Sequence, residues 1–109
     1  METVSFEDFA KLSLKVAKIL EAQQVEGSSK LLKLKIRIGT EERTLVAGIA
    51  EQYAQDELPG KKIIVIANLE PKKLKGIESQ GMLLAAQDES GALSLLTIDR
   101  DLPEGSEIH

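Results

Sequence analysis

Leu32-Lys33-Leu34-Lys35-Ile36-Arg37-Ile38-Gly39-Thr40-Glu41-Glu42-Arg43-Thr44-Leu45-Val46-Ala47 decides how this chain folds. Leu32, Leu34, Ile36 and Ile38 alternate with Lys33, Lys35 and Arg37, a period of two that gives a strand one apolar and one wholly basic face. Gly39-Thr40-Glu41-Glu42 supplies a turn, and Arg43-Thr44-Leu45-Val46-Ala47 returns as the neighbouring strand.

Upstream, Leu12, Leu14 and Val16 alternate with Ser13, Lys15 and Ala17, so a strand precedes this hairpin. Its apolar phase slips near Lys18-Ile19-Leu20, which predicts a bulge or sharp bend. Before it, Ser5-Phe6-Glu7-Asp8-Phe9 reads as a short helix: Ser5 can cap the amide of Asp8, whose carboxylate can reach back, and Phe6 and Phe9 share a face. Gly27-Ser28-Ser29 is a turn. Downstream, Ala50 through Leu58 has helical composition and is stopped by Pro59-Gly60. Lys61 to Ala67 reads as a fourth strand buried on both sides, Met82 to Gln87 as a fifth and Leu93 to Leu96 as a sixth. The tail, Asp99 to His109, reads as extended or looped.

Short strands with a helix between the third and fourth match an OB fold, a five-stranded Greek-key barrel whose second and third strands bind oligonucleotides. The expected architecture is therefore mainly β: that barrel, a short N-terminal helix, a helix between strands 3 and 4, and a C-terminal extension. An immunoglobulin-like sandwich is the alternative, but it has no need of a mid-chain helix. At 109 residues, the chain is read as one domain spanning 1–109, large enough to bury a core without staples. Cysteine is absent, which removes disulfides and thiolate chemistry and fits a cytoplasmic protein. Acidic Met1–Asp8 carries no signal-peptide pattern, and no segment approaches the roughly 20 apolar residues of a membrane span. The start at Met1 is that expected of an independent chain.

The formal net charge is −4, yet its distribution is uneven. Between Lys30 and Lys75 there are ten bases against six acids, a net of +4, which leaves −8 on the rest. Local potential, screened over about 10 Å at ordinary salt, governs binding more than the total does. Lys72, Lys73 and Lys75 lie in a connection, Asn68 to Met82, held at each end by an apolar strand. A polyanion is the natural partner of that arrangement.

Catalysis fails by subtraction. The single histidine, His109, is the last residue, so no serine has a base beside it. The carboxylates Glu41, Glu42, Asp88 and Glu89 lie in polar turns where water keeps them ordinary. No metal-ligand spacing and no phosphate-binding glycine loop is present, and no cofactor is expected. Aromatic residues number three, Phe6, Phe9 and Tyr53. Two belong to the N-terminal helix and Tyr53 reads as a packing residue, so an RNA partner would be held through phosphates and shape, with few stacked bases.

Ser79-Gln80-Gly81-Met82 admits two readings. Gly81 can be a steric necessity where the strand begins, with Met82 in the core. Alternatively the Ser79 hydroxyl and Gln80 amide donate to phosphate or base edges, with Met82 on the RNA. Asn68 can likewise face RNA or brace its loop through backbone bonds. Both sets of readings fit the spacing.

The chain resembles the tRNA-binding domain family found at the C-terminus of many bacterial methionyl-tRNA synthetases, in stand-alone dimeric tRNA-binding proteins and in CsaA-type proteins. The matching residues are Phe6-Glu7-Asp8-Phe9 with Leu14-Lys15-Val16, Lys30-Leu31-Leu32-Lys33-Leu34, Arg43 through Ile49, and Tyr53 with Glu57-Leu58-Pro59-Gly60-Lys61. Asn68-Leu69-Glu70-Pro71 through Gly76, Ser79, Gly81 and Met82 complete them. The synthetase-associated branch is nearest because of the Asn68–Met82 run. Val25-Glu26-Gly27-Ser28-Ser29 departs from the His-Pro-x-Ala-Asp of many members, and Ala47-Gly48-Ile49 replaces Ser-Gly-Ile. The resemblance implies a non-catalytic OB domain that dimerises outside its basic face and grips the outside corner of tRNA. It places Lys30, Arg43, Ser79 and Met82, with loop lysines, at the RNA surface. The expected RNA-binding set is thus Lys30, Lys33, Lys35, Arg37, Arg43, Asn68, Lys72, Lys73, Lys75, Ser79, Gln80 and Met82. Partners are tRNA, a second copy, and the catalytic part of a methionyl-tRNA synthetase, fused or separate. A CsaA-like protein-binding dimer is the alternative.

Overall fold

Alternation makes the first three strands a meander: β1 (Leu14–Gln24), β2 (Leu32–Ile38) and β3 (Glu41–Ala47). The computed structural model describes all 109 residues. β2 buries Leu32, Leu34 and Ile36 and turns Lys33 and Lys35 to solvent. Its register against β3 runs from Leu32↔Ala47 to Ile38↔Glu41. β1 is long enough to serve two neighbours. Its second half pairs with β2 and its first half with β4 (Lys62–Ile66), from Leu14↔Ile66 to Lys18↔Lys62. The register slips between Ile19 and Glu21, at the phase change visible in the sequence. Such a bulge bends and twists a strand, here curling the sheet into a half-barrel of order β3-β2-β1-β4-β7, where β7 is Met82–Leu83.

Ile19, Leu34, Ile36, Leu45, Leu58, Ile63 and Val65 form the core. Ile64 and Ile66, on the other face of β4, are buried as well, as a continuous apolar run requires. The tail reaches across to β1. Gly105 donates its amide to the Val16 carbonyl, Val16 donates to Ser106, and β10 (Glu107–Ile108) pairs with Leu14 and Lys15. The tail expected to be extended is therefore a strap with one added strand.

Three segments differ from expectation. The helix over 50–58 shrinks to one 3-10 turn, Gln55–Glu57, braced by the Glu57 carboxylate accepting from the Ala54 amide at 3.0 Å. Of that stretch only Leu58 is buried, so no apolar stripe offsets the cost of nucleating a helix. The strand over 82–87 breaks at Leu84: β7 stays in the sheet, while β8 (Ala85–Gln87) leaves to pair with β9 (Leu93–Leu95). Ala85 and Ala86 offer little to bury, and all of β8 is exposed. The lysine connection is a hairpin, β5 (Lys72–Leu74) and β6 (Ile77–Ser79). Lys75 and Gly76 turn it, both at positive φ (51° and 79°), as a two-residue type I′ turn demands. The N-terminal helix α1 (Phe6–Ala10) forms with Ser5 capping Asp8 at 3.1 Å, but the Asp8 carboxylate takes Lys11 as its partner and does not reach back.

Candidate nucleic-acid interface

The barrel wall between β3 and β7 is closed by side chains. The Ser79 hydroxyl accepts from the Val46 amide at 3.0 Å and donates to the Gly81 carbonyl at 3.2 Å. Gln80 donates its amide to the Thr44 carbonyl at 2.8 Å, and its Oε1 accepts from the Thr44 amide at 3.0 Å. Ser79 is buried, and its group is spent on the fold. Gly81 sits at φ 131° with the Ile66 carbonyl oxygen 2.8 Å from where a Cβ would stand, so no side chain fits there. Asn68 is equally committed: its Oδ1 accepts from the Ser13 amide at 2.8 Å and its Nδ2 donates to the Lys11 carbonyl at 2.6 Å. Of the two readings of Ser79, Gly81 and Asn68, these bonds and contacts give each a structural task. Met82 is 48% exposed, outside the core.

The cations separate by what holds them. Cross-strand pairing puts Lys33 beside Val46 and Lys35 beside Thr44 on the outer face of β2–β3. Arg43 pairs with Ile36, whose side chain is buried, so it belongs to the opposite face. From there it donates to the Ala67 carbonyl, to the Gln80 carbonyl at 3.3 Å and to Glu41 at 2.9 Å. That hydrogen bond and the guanidinium charge lower the pKa of Glu41. Arg37 is forked onto Glu104 at 2.6 and 3.2 Å, and this bond is the main cause holding the Glu104 carboxyl down to about 2. Lys35 makes one half-exposed contact with Glu42 at 3.2 Å, a pairing too weak to withhold it from a stronger anion. Lys30, Lys33, Lys72, Lys73 and Lys75 are exposed and join no ion pair.

Lys33 and Lys35, with Glu21, Gln23 and Thr44, line a recess of about 220 Å³. Lys35 and Thr44 also line the next one, with Arg43 and Gln80. Beyond Gln80 lies a third, of about 430 Å³, between β3 and the hairpin, to which Val46, Leu69, Lys72, Leu74 and Met82 contribute. The first two recesses share Lys35 and Thr44, and Gln80 leads in sequence to Gly81 of the third. The strip they form carries Lys33, Lys35, Gln80, Lys72 and Met82, with Glu21, Glu42 and Glu70 among its acids and Arg43 reaching it from the opposite face. Lys73 sits opposite Glu78 on the other face of the hairpin and Lys75 at its tip. Lys30 lies where β2 begins, in the turn that the Ser28 hydroxyl braces, at the opposite end from Arg37. Leu69, Leu74 and Val46 were absent from the expected set. Leu74 had a signal, since it interrupts the lysines at a spacing of two from Lys72, as a strand face does.

A small antiparallel barrel with a cationic outer strip and a side-chain clasp is the class of protein defined here: a β-barrel binding module of the OB kind. Residues 14–107 match the family described as "Putative tRNA binding domain", and the chain belongs to that family. It is 55% identical over 108 residues to the methionine–tRNA ligase of Caldanaerobacter subterraneus subsp. tengcongensis, covering 99% of this chain and 17% of that protein. With the methionine–tRNA ligase of Methanococcus aeolicus the identity is 56% over 108 residues, 99% of this chain and 16% of that one. The chain therefore spans about one-sixth of the length of these relatives. Among solved structures, a MetRS-related protein from Pyrococcus horikoshii superposes with a TM-score of 0.94 at 41% identity, each chain covered fully. The chaperone CsaA of Bacillus anthracis gives 0.90 at 28% identity, covering 99% and 100%. No helix is long and apolar enough to cross a membrane.

Proposed function

We propose that this chain is a non-catalytic, cytoplasmic tRNA-binding module that works as a homodimer. It assists a methionyl-type synthetase, in cis or in trans, by holding the outside corner of tRNA. One observation carries the reading: lysines in no ion pair, Lys33 and Lys72 foremost, border a single strip that lacks aromatic stacking platforms. Phosphate contacts position an RNA without reading its sequence, and a second binding site raises the effective concentration of tRNA beside a catalytic partner. The names of the relatives support tRNA and a methionine–tRNA ligase as the partners. Asn68 and Ser79 act here as braces of the strip and not as its contacts.

The dimer is supported by α1, none of whose residues is buried. Phe6 is 79% exposed, and Val4, Phe9 and Leu12 are exposed beside it, as are Leu96 after β9 and Leu102 on the tail. Solvated apolar residues in that number fit a second copy. Light scattering should give twice the chain mass, and Phe6→Ser with Phe9→Ser should give one chain mass. Filter binding of mixed tRNA tests the function itself. Wild-type protein binds and Lys33→Glu with Lys72→Glu does not; equal retention of tRNA by both would refute the assignment. A CsaA-like peptide-binding dimer is the second reading, favoured by the likeness to CsaA chaperones; it predicts peptide binding that salt leaves unchanged.

A further inference from the structure

We propose that the recess of about 430 Å³ between β3 and the β5–β6 hairpin receives one unstacked base of the bound RNA, an inference that rests on the RNA-binding reading above. The walls are Val46, Leu69, Leu74 and Met82, and the rim carries Lys72 and Glu70. Its volume falls in the range of small-ligand sites, about 300–1,000 Å³. The other recesses of the strip are lined by no hydrophobic residue, so this is the one place along it where a flat apolar face finds walls of apolar side chains.

The exposure of those walls needs a reason. Leu69 is 40% and Met82 48% exposed, although both stand at the edge of a well-packed barrel. Register explains why the fold leaves them so. Lys72 and Leu74 point to one face of β5, Lys72 lies opposite Ser79, and Ser79 is bonded to Val46. The hairpin is thereby held beside β3 with a gap of its own between them. A base entering that gap would lie against Met82 and Leu69, whose polarizable and branched side chains take the part of the missing aromatics. Its 5′ or 3′ phosphate would fall on the Lys72 ammonium, the charge complement that favours a nucleotide over a neutral apolar group. Glu70 joins no ion pair and carries only acceptors, so it favours a base edge bearing an amino group.

The test uses the full chain and tRNA transcript, with Leu69→Asn and Met82→Gln combined, both half-exposed positions whose change leaves the core intact. The expected result is a loss of affinity of about 5- to 20-fold with an unaltered slope of log affinity against log salt, because no phosphate contact is removed. An RNA hairpin with one 2-aminopurine in its loop gives the second readout: its fluorescence changes on binding wild-type protein and stays constant with the variant. Affinity within twofold of wild type, with Lys33→Glu and Lys72→Glu still abolishing binding, overturns the base site and leaves the RNA reading standing. No tRNA bound by wild-type protein overturns both. An apolar peptide that displaces the 2-aminopurine RNA without regard to salt, and binds the variant poorly, assigns the recess to protein and overturns the proposal.

Discussion

The outer face of β2–β3 with its hairpin and the C-terminal strap hold similar charges in opposite ways. On the strap side three cations are tied: Arg37 to Glu104 at 2.6 Å, Lys62 to Asp101 at 2.6 Å and Lys15 to Glu107 at 3.5 Å. These acids come from the last residues of the chain, and their bonds fasten the strap to β1, β2 and β4. Along the strip, Lys33 and Lys72 join no ion pair although Glu21 and Glu70 line the same recesses, and Lys35 joins only a solvated one. Counting lysines therefore says little about binding. What counts is which of them the fold has already neutralised.

Charge reversal breaks this contrast most severely. Lys33→Glu with Lys72→Glu should reduce tRNA affinity by about 100-fold or more, whereas Lys15→Gln with Lys62→Gln should change it by less than about threefold. Filter binding at one salt concentration compares them.

Stability comes next, through the clasp that frames the strip. Gly81→Ala forces a Cβ to within 2.8 Å of the Ile66 carbonyl oxygen at a φ of 131°, and should cost about 3 kcal/mol in urea denaturation. Ser79→Ala leaves the buried Val46 amide without its acceptor and should cost about 1–2 kcal/mol. If Ser79 only clasps the barrel, the salt slope of the folded Ser79→Ala variant equals that of wild type.

The smallest effect sharpens the strap side. Glu104 is charged in the fold down to about 2, below its ordinary 4.5, chiefly because Arg37 donates to it. A depressed carboxyl pKa contributes stability above the unfolded value, and that contribution is lost as pH falls from about 4.5 towards about 2. Thermal melts of Glu104→Gln should therefore show a shallower acid limb than wild type over that window, with the two curves offset by a constant amount near neutrality.

Much of the barrel was legible because its signals are local. The period-two pattern of β2, the phase slip at Ile19 and the doubly apolar β4 each depend on neighbours a few residues away. The 50–58 segment misled because helical composition there has no apolar face to bury. β8 misled for a different reason: Leu83 and Leu84 looked continuous with Ala85 and Ala86, while strand pairing decides where a sheet ends. In the site, lysines could be found by type, but not their partners. Arg37 and Glu104 stand 67 residues apart in sequence, and nothing local announces that they meet. Ser79 is the same case, its role set by Val46 on a distant strand.

Titration of tRNA binding against salt tests the central claim most directly. With Lys33, Lys35 and Lys72 each neutralising a phosphate, log affinity should fall against log salt with a slope near −3, by about 0.9 for each contact. Lys33→Gln with Lys72→Gln should bring it to about −1. A flat line for the wild-type protein, or a slope that those two changes leave untouched, would contradict the account.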